Sequence, residues 1–368
     1  MRKTTLHFLS AFFMLVLITS CNQLLRPGGG PKHGGGAGGG GNAGGGGGGT
    51  KGNSGDGWSN GEKGGISTFN MAQFKGRIIS NVYYGQNINW QGQMEDLKLD
   101  VYEPEAVKSG KKYPLLLVIH GGGFLVGGKA GTQKTCAPLA NEGFVCAPIN
   151  YRLGWARDRT KPCNGDSTEL KKAIFRAAQD ANAALRFLVA HADEYSIDTN
   201  WIFVCGNSAG GVTSLNTVYL TDTIAELFNP GITSLLGGLK TGTNNLRNTY
   251  RIKGICNMWG GIGNPLMITK DNAVPTLFFH GQLDNVVPCN IGPVYSCPLF
   301  FTQYGSQPIY NQLKSLGVSA VAHIDPNGGH GVYSYDFRVK NMACFFKNVM
   351  IKKYQNSYIV GGENDYCP

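Results

Sequence analysis

The residues with the clearest chemical potential are Gly206-Asn207-Ser208-Ala209-Gly210, a G-x-S-x-G pattern. Alone it is weak evidence, because the chain has 55 glycines among 368 residues. Its context gives it weight. An apolar run, Ile202-Phe203-Val204-Cys205, precedes it, and a helical stretch follows from Ser208 to about residue 220. A serine on a tight turn from strand to helix exposes its hydroxyl, and side chains two before and two after it would collide. The helix that opens there aims free N–H groups and its positive dipole end at the hydroxyl, which favours negative charge developing beside it.

A second pattern, His120-Gly121-Gly122-Gly123-Phe124, follows the apolar run 115–119. Three glycines let the backbone approach a reacting carbonyl with its N–H groups turned inward. Acyl transfer needs two or three such donors where a tetrahedral oxyanion forms. The expected donors are Gly122, Gly123 and Ala209, with His120 bracing the loop. An activated serine also needs a base and an acid that holds the base in one tautomer. Three histidines follow the serine. His280 ends a strand, His323 alternates with apolar neighbours inside one, and His330 sits in the loop Asn327-Gly328-Gly329-His330-Gly331. Only a loop delivers an imidazole to Ser208, so His330 is the expected base, and His280 and His323 are read as structural. Asp284, in His280-Gly281-Gln282-Leu283-Asp284, is the expected acid and gives the chain order Ser, Asp, His. Asp325, five residues before His330, is its rival. Such a triad implies no metal and no organic cofactor.

These residues must be held by a scaffold of matching rhythm. Strand-like runs at 77–84, 96–102, 115–119, 143–149, 201–205, 252–258, 276–279 and 320–324 alternate with helical stretches at 136–141, 170–191, 208–220, 310–316 and 336–353. The first two runs read as a hairpin. The alternation predicts an α/β fold: a mostly parallel eight-stranded sheet with helices on both faces. Two insertions, 155–168 and 221–251, break the rhythm, and either substrate access or surface decoration would account for them.

With these elements in order, the body resembles bacterial carboxylesterases of the α/β-hydrolase superfamily, in the branch with an HGGG oxyanion loop. That branch is similar to hormone-sensitive-lipase-like, acetylxylan and feruloyl esterases. Asp96-Leu97-Lys98-Leu99-Asp100-Val101-Tyr102 with Pro104 looks like their hairpin before the HGGG strand, and Asn150-Tyr151-Arg152-Leu153 like the loop after their next strand. The resemblance implies the α/β-hydrolase fold and hydrolysis of short-chain acyl esters or of acetyl or feruloyl esters on polysaccharide. Those relatives carry Asp or Glu before the nucleophile where this chain has Asn207, which leaves the triad intact and the subfamily open. Arg152 and Asp180 recur in such enzymes and are read here as a buried bracing pair. A serine peptidase, or a non-catalytic binding protein on the same fold, is the alternative. The first normally brings a large extra domain, and the second usually loses a triad member or the oxyanion glycines.

The remaining composition fixes the setting. Of the residues, 42% are hydrophobic and 15% charged, ample for a large core. Glycines crowd 28–65, a stretch too poor in apolar side chains to offset chain entropy. Arg2, Lys3 and the apolar run 9–18 read as a signal peptide, too short for comfortable spanning. Ile18-Thr19-Ser20-Cys21 resembles a bacterial lipobox, in which Cys21 is lipidated, and Asn22 after it implies the outer membrane of a Gram-negative cell. The expected organisation is therefore a lipoprotein signal at 1–20, a flexible tether at 21–65 and a catalytic domain at 66–368. The net charge is +10, without a Lys/Arg run in the body or a nucleic-acid motif. Among ten cysteines there is no C-x-x-C pair, so zinc is not expected. Export permits disulfides, and Cys289 with Cys297, bracketing a Gly/Pro loop, is the expected local bridge.

Overall fold

The computed structural model describes residues 70–105, 110–158 and 160–363. The expected signal segment, Cys21 and the glycine-rich tether lie outside them.

Nine strands form the main sheet. The chain runs β1 (Arg77–Ile88), β2 (Met94–Glu103), β3 (Tyr113–Ile119), α1 (Gln133–Asn141), β4 (Val145–Ile149), α2 (Ser167–Ala190), β5 (Ile197–Asn207) and α3 (Ala209–Tyr219). It continues through α4 (Asp222–Phe228), α5 (Ile232–Leu236), β6 (Ile252–Met258), β7 (Thr276–Gly281), a small hairpin β8 (Ile291–Pro293) and β9 (Thr302–Tyr304), then α6 (Ser306–Ser315). The last elements are β10 (Ala320–Asp325), α7 (Tyr335–Met350) and β11 (Asn356–Val360). The order in the sheet is β1-β2-β4-β3-β5-β6-β7-β10-β11. The β1–β2 and β2–β4 pairs are antiparallel, and every pair from β4 through β3 to β11 is parallel. All eight expected strands are present, and the ninth, β11, adds to the edge beside β10.

The central strands are buried and mainly apolar because helices cover both faces. Alternation still sorts their side chains. Leu115, Leu117 and Ile119 of β3 enter the core shared with α2 and α3, whereas Leu116 and Val118 enter the core shared with α1 and α7. Helix α2 begins at Asp166, whose carboxylate accepts from the N–H groups of Thr168 and Glu169. Ala173, Ala177, Ala181 and Ala184 are buried along it, and such small side chains let a helix lie close to the sheet. Its Asp180 meets Arg152, just beyond β4, in a fully buried pair at 2.7 Å, and Thr243 of the second insertion donates to the same carboxylate at 2.8 Å. That cluster braces β4, α2 and the insertion together.

The expected Cys289–Cys297 bridge is not formed. Cys297 bonds to Cys163 of the first insertion, and Cys289 is a buried free thiol. The β8–β9 hairpin explains this. Ile291 pairs with Tyr304 at one end and Pro293 with Thr302 at the other. Cys289 precedes β8, while Cys297 lies in the connection past the hairpin's far end. Between them Tyr295 and Ser296 turn the chain through positive φ, and Cys297 meets the first insertion instead. Cys136, Cys146, Cys205 and Cys256 are buried free thiols, as their apolar surroundings imply.

Candidate active site

Because β3, β5, β7 and β10 run parallel, their carboxyl ends share one edge of the sheet, and the expected site residues all leave from it. Ser208 follows β5 with φ 53° and ψ −121°, a conformation costly for any residue with a Cβ and one that clusters at functional sites. The turn that enforces it needs glycine on both sides. A Cβ at Gly206 would lie 2.3 Å from the Gly210 carbonyl oxygen, and one at Gly210 would lie 2.0 Å from that of Ile119. Ser208 N–H donates to the Met258 carbonyl at 2.9 Å, so the first free N–H of α3 is that of Ala209.

The structure brings the three expected triad residues together. His330 Nε2 is 2.7 Å from Ser208 Oγ, and its Nδ1 is 2.8 Å from Asp284 Oδ2. The loop bearing His330 is zipped to the turn bearing Asp284. Gln282 N–H donates to the Asp325 carbonyl at 2.8 Å and Leu283 N–H to that of Gly328 at 2.9 Å. Gly281 allows this approach, since a Cβ there would sit 2.2 Å from the Gly329 oxygen. The rival acid, Asp325, instead takes the N–H of Asn327 at 3.0 Å and shapes the loop.

Asp284 is buried and its carboxylate is saturated. Oδ1 accepts from the N–H groups of Val286 at 2.8 Å and Val287 at 3.0 Å, and Oδ2 faces both His330 and His280. Burial alone would raise this carboxyl, but donation by His280 and His330 outweighs it and holds Asp284 well below the usual carboxylate range. It therefore stays anionic beside His330 at neutral pH, which fixes Nδ1 as the protonated nitrogen and leaves Nε2 to accept from Ser208.

The glycine loop lies across from the serine. Gly122, Gly123 and Phe124 have φ of 111°, 62° and 62°, which turns successive peptides. The N–H groups of Gly122, Gly123 and Ala209 donate to no backbone carbonyl among the described residues, so they are available to a ligand atom. His120 braces the loop: its Nδ1 is 2.7 Å from the Gly121 oxygen and its ring stacks on Tyr151 at 4.4 Å. Burial pushes its imidazole down to about 4, so it is neutral. Trp155, which opens the first insertion, was given no role in the sequence; its Nε1–H donates to the Gly123 carbonyl at 2.9 Å and its ring stacks on Tyr295.

Two cavities meet over this edge at Ile174, Phe301 and Gln303. The inner one, about 20 Å³, lies against Ser208, Gly123, Val287 and Tyr295. The outer one, about 120 Å³, is walled by Phe175, Leu220, Ala225, Phe228, Ile232 and Met267. Helices α4 and α5 thus contribute one wall, and the segment held by Cys163–Cys297 contributes another through Tyr295 and Phe301. The second insertion thus borders the cleft directly, and the first is tied to its wall through Cys163–Cys297 and the stacking of Trp155 on Tyr295. Among the described residues no cluster of His, Cys, Asp or Glu is arranged to hold a metal ion.

Comparison with known proteins agrees with this architecture. Residues 99–263 match the family model described as BD-FAE. Carboxylesterase 3B of Mus musculus is 32% identical over 142 residues, 37% of this chain and 22% of that protein. Carboxylesterase 1D of Mus musculus is 30% identical over 162 residues, 43% and 27% of the respective chains. The chain thus spans about a quarter of the length of these curated relatives. Among solved structures, Thermogutta terrifontis esterase 2 phosphorylated by paraoxon superposes with a TM-score of 0.52 at 18% identity, over 76% of this chain and 95% of that one. A truncated carbohydrate esterase from gut microbiota gives 0.53 at 20% identity, over 76% and 98%. At such identities the likeness speaks for the fold.

Proposed function

We propose that this α/β-hydrolase cleaves carboxylic esters by acyl transfer through Ser208. One observation carries the reading: a serine on a strained turn lies 2.7 Å from an imidazole whose other nitrogen is 2.8 Å from a buried carboxylate. Ser208 Oγ attacks the ester carbonyl while His330 Nε2 takes its proton. Asp284 holds the imidazole in its tautomer and stabilises the imidazolium. The carbonyl oxygen becomes an oxyanion and takes hydrogen bonds from Gly122, Gly123 and Ala209 N–H. His330 then protonates the leaving alcohol. Water attacks the acyl-enzyme by the same path, releasing the acid and restoring Ser208.

The cavities favour a small acyl group. About 20 Å³ beside Ser208 leaves room for little more than one water, and the adjoining apolar cleft of about 120 Å³ offers space to a larger, flat or aliphatic arm. Short-chain acyl esters, and acetyl or feruloyl esters carried on polysaccharide, are the substrates this reading proposes. The names of the carboxylesterase relatives and of the carbohydrate esterase neighbour point the same way. The leader 9–18 and Cys21 extend the reading to an exported enzyme, lipid-anchored at the outer membrane and reaching its substrate on the glycine tether.

Hydrolysis of p-nitrophenyl esters from acetate upward, and of acetylated and feruloylated xylan, tests the proposal. Activity on the shorter esters that disappears in a folded Ser208→Ala variant is the expected result. A wild-type protein inert on all of them, or a variant as active as wild type, would sink it.

A further inference from the structure

His280 takes no part in the acyl transfer described above, yet it is fully buried against the acid. Its Nε2 is 3.2 Å from Asp284 Oδ2 and 3.0 Å from the Val287 carbonyl oxygen, and its Nδ1 is 2.8 Å from Ser306 Oγ. These partners place a proton on Nε2. A carboxylate and a carbonyl only accept, so Nε2 carries the proton. Ser306 Oγ accepts from Asn257 Nδ2 at 3.3 Å, which leaves its own proton for Nδ1. The Nε2–H of His280 is thus shared between the two ends of one turn. Val287 N–H itself donates to Asp284 Oδ1 at 3.0 Å, so His280 grips both the carboxylate and a residue that holds it. The grip reaches Oδ2, the oxygen that meets His330.

We propose that His280 is a positioning residue of the triad: fixed by Ser306 and Asn257, its Nε2–H sets the orientation of Asp284 that His330 requires. The inference rests on the catalytic reading of Ser208, His330 and Asp284. A histidine kept only for packing would be replaceable by an apolar side chain at a cost in stability alone. A positioning histidine is not, and the donor at the Nε2 position carries its effect.

The test is kcat and KM for p-nitrophenyl acetate, with thermal unfolding in parallel, for the full chain and for His280→Leu, His280→Gln and Ser306→Ala. His280→Leu is expected to lower kcat about 10- to 100-fold, the rate equivalent of one hydrogen bond to a charged group, with KM changed less than about twofold. His280→Gln, whose side-chain amide brings an N–H to the same place, is expected to recover kcat to within about threefold of wild type, although it unfolds at a similar temperature to the leucine variant. Should the leucine variant not fold, Ser306→Ala decides: kcat lowered severalfold at constant KM supports the inference, and wild-type kcat overturns it. A folded His280→Leu with wild-type kcat, or glutamine and leucine variants equally impaired, overturns the positioning role while leaving the esterase reading intact. A wild-type protein inert on every ester overturns both.

Discussion

Exchanging Asp284 for asparagine removes one charge and almost no volume, yet the geometry predicts a severe effect. Oδ1 of Asp284 accepts from the N–H groups of Val286 and Val287. Two backbone donors therefore oblige the amide of Asp284→Asn to keep its oxygen there and turn its NH₂ toward His330 and His280. Nδ1 of His330 then faces a donor and must become the acceptor, which moves its proton to Nε2. That nitrogen can no longer take the proton of Ser208, 2.7 Å away. A triad held in the wrong tautomer loses about 10⁴ in kcat, close to 5 kcal/mol of barrier. Steady-state hydrolysis of p-nitrophenyl acetate near pH 7, on protein shown to be folded, measures it. Loss of less than about tenfold would refute the argument, because a tautomer switch cannot cost so little. The same exchange has a signature in stability. The native carboxyl is held below its unfolded value of about 3.9, so its contribution is present above that pH and is lost as the pH falls through the native value. The stability difference between wild type and Asp284→Asn is thus expected to be flat above about pH 5 and to shrink in acid.

Two other expectations follow from the cleft and the leader. Cys163 and Cys297 are separated by 134 residues, so the chain-entropy model assigns their bridge about 5 kcal/mol. Urea unfolding of the Cys163→Ala/Cys297→Ala variant is expected to show a large part of that loss together with a raised KM, since Tyr295 and Phe301 wall the cleft; a change under about 1 kcal/mol would show that the bridge does not constrain the chain. Cys21→Ala is expected to release the protein from the membrane fraction of a lipoprotein-processing host with its activity intact, and a variant that stays membrane-bound would remove the anchor from the proposal.

Much of the scaffold was legible because its strands are buried on both faces. Runs such as those of β3 and β4 have no polar alternation to confuse with a surface. β11 escaped notice for the opposite reason. Asn356, Ser357 and Tyr358 are only part-buried on an edge strand, and nothing in their pattern separates them from a loop. The same contrast holds at the site. Ser208, Asp284 and His330 each follow a readable strand, and glycines flank the first and last of them for steric reasons that local sequence carries. His280 was readable only as the end of β7. Its role depends on Ser306, 26 residues on, and on Asn257 in the neighbouring strand, partners that only the folded register assembles. Trp155 and Tyr295 were invisible for the same cause.

The cysteines carry this point furthest. Proximity in sequence favoured Cys289 with Cys297, and loop closure over so few residues is indeed easier than over the span to Cys163. Loop entropy is a property of the unfolded chain, however, whereas pairing is decided by where the folded backbone leaves each Cβ. The β8–β9 hairpin separates the near pair by its own length and turns Cys297 toward the first insertion. The bridge that results is the more useful one for an enzyme of this kind. A bridge between 289 and 297 would only tighten one loop. The bridge to Cys163 fastens the segment carrying Tyr295 and Phe301 to the insertion whose Trp155 holds the Gly123 carbonyl. One covalent link thus couples the wall of the acyl cavity to the loop that supplies the oxyanion donors. Those two parts come from segments far apart in sequence, and the bridge adds to the stacking of Trp155 on Tyr295 that already joins them.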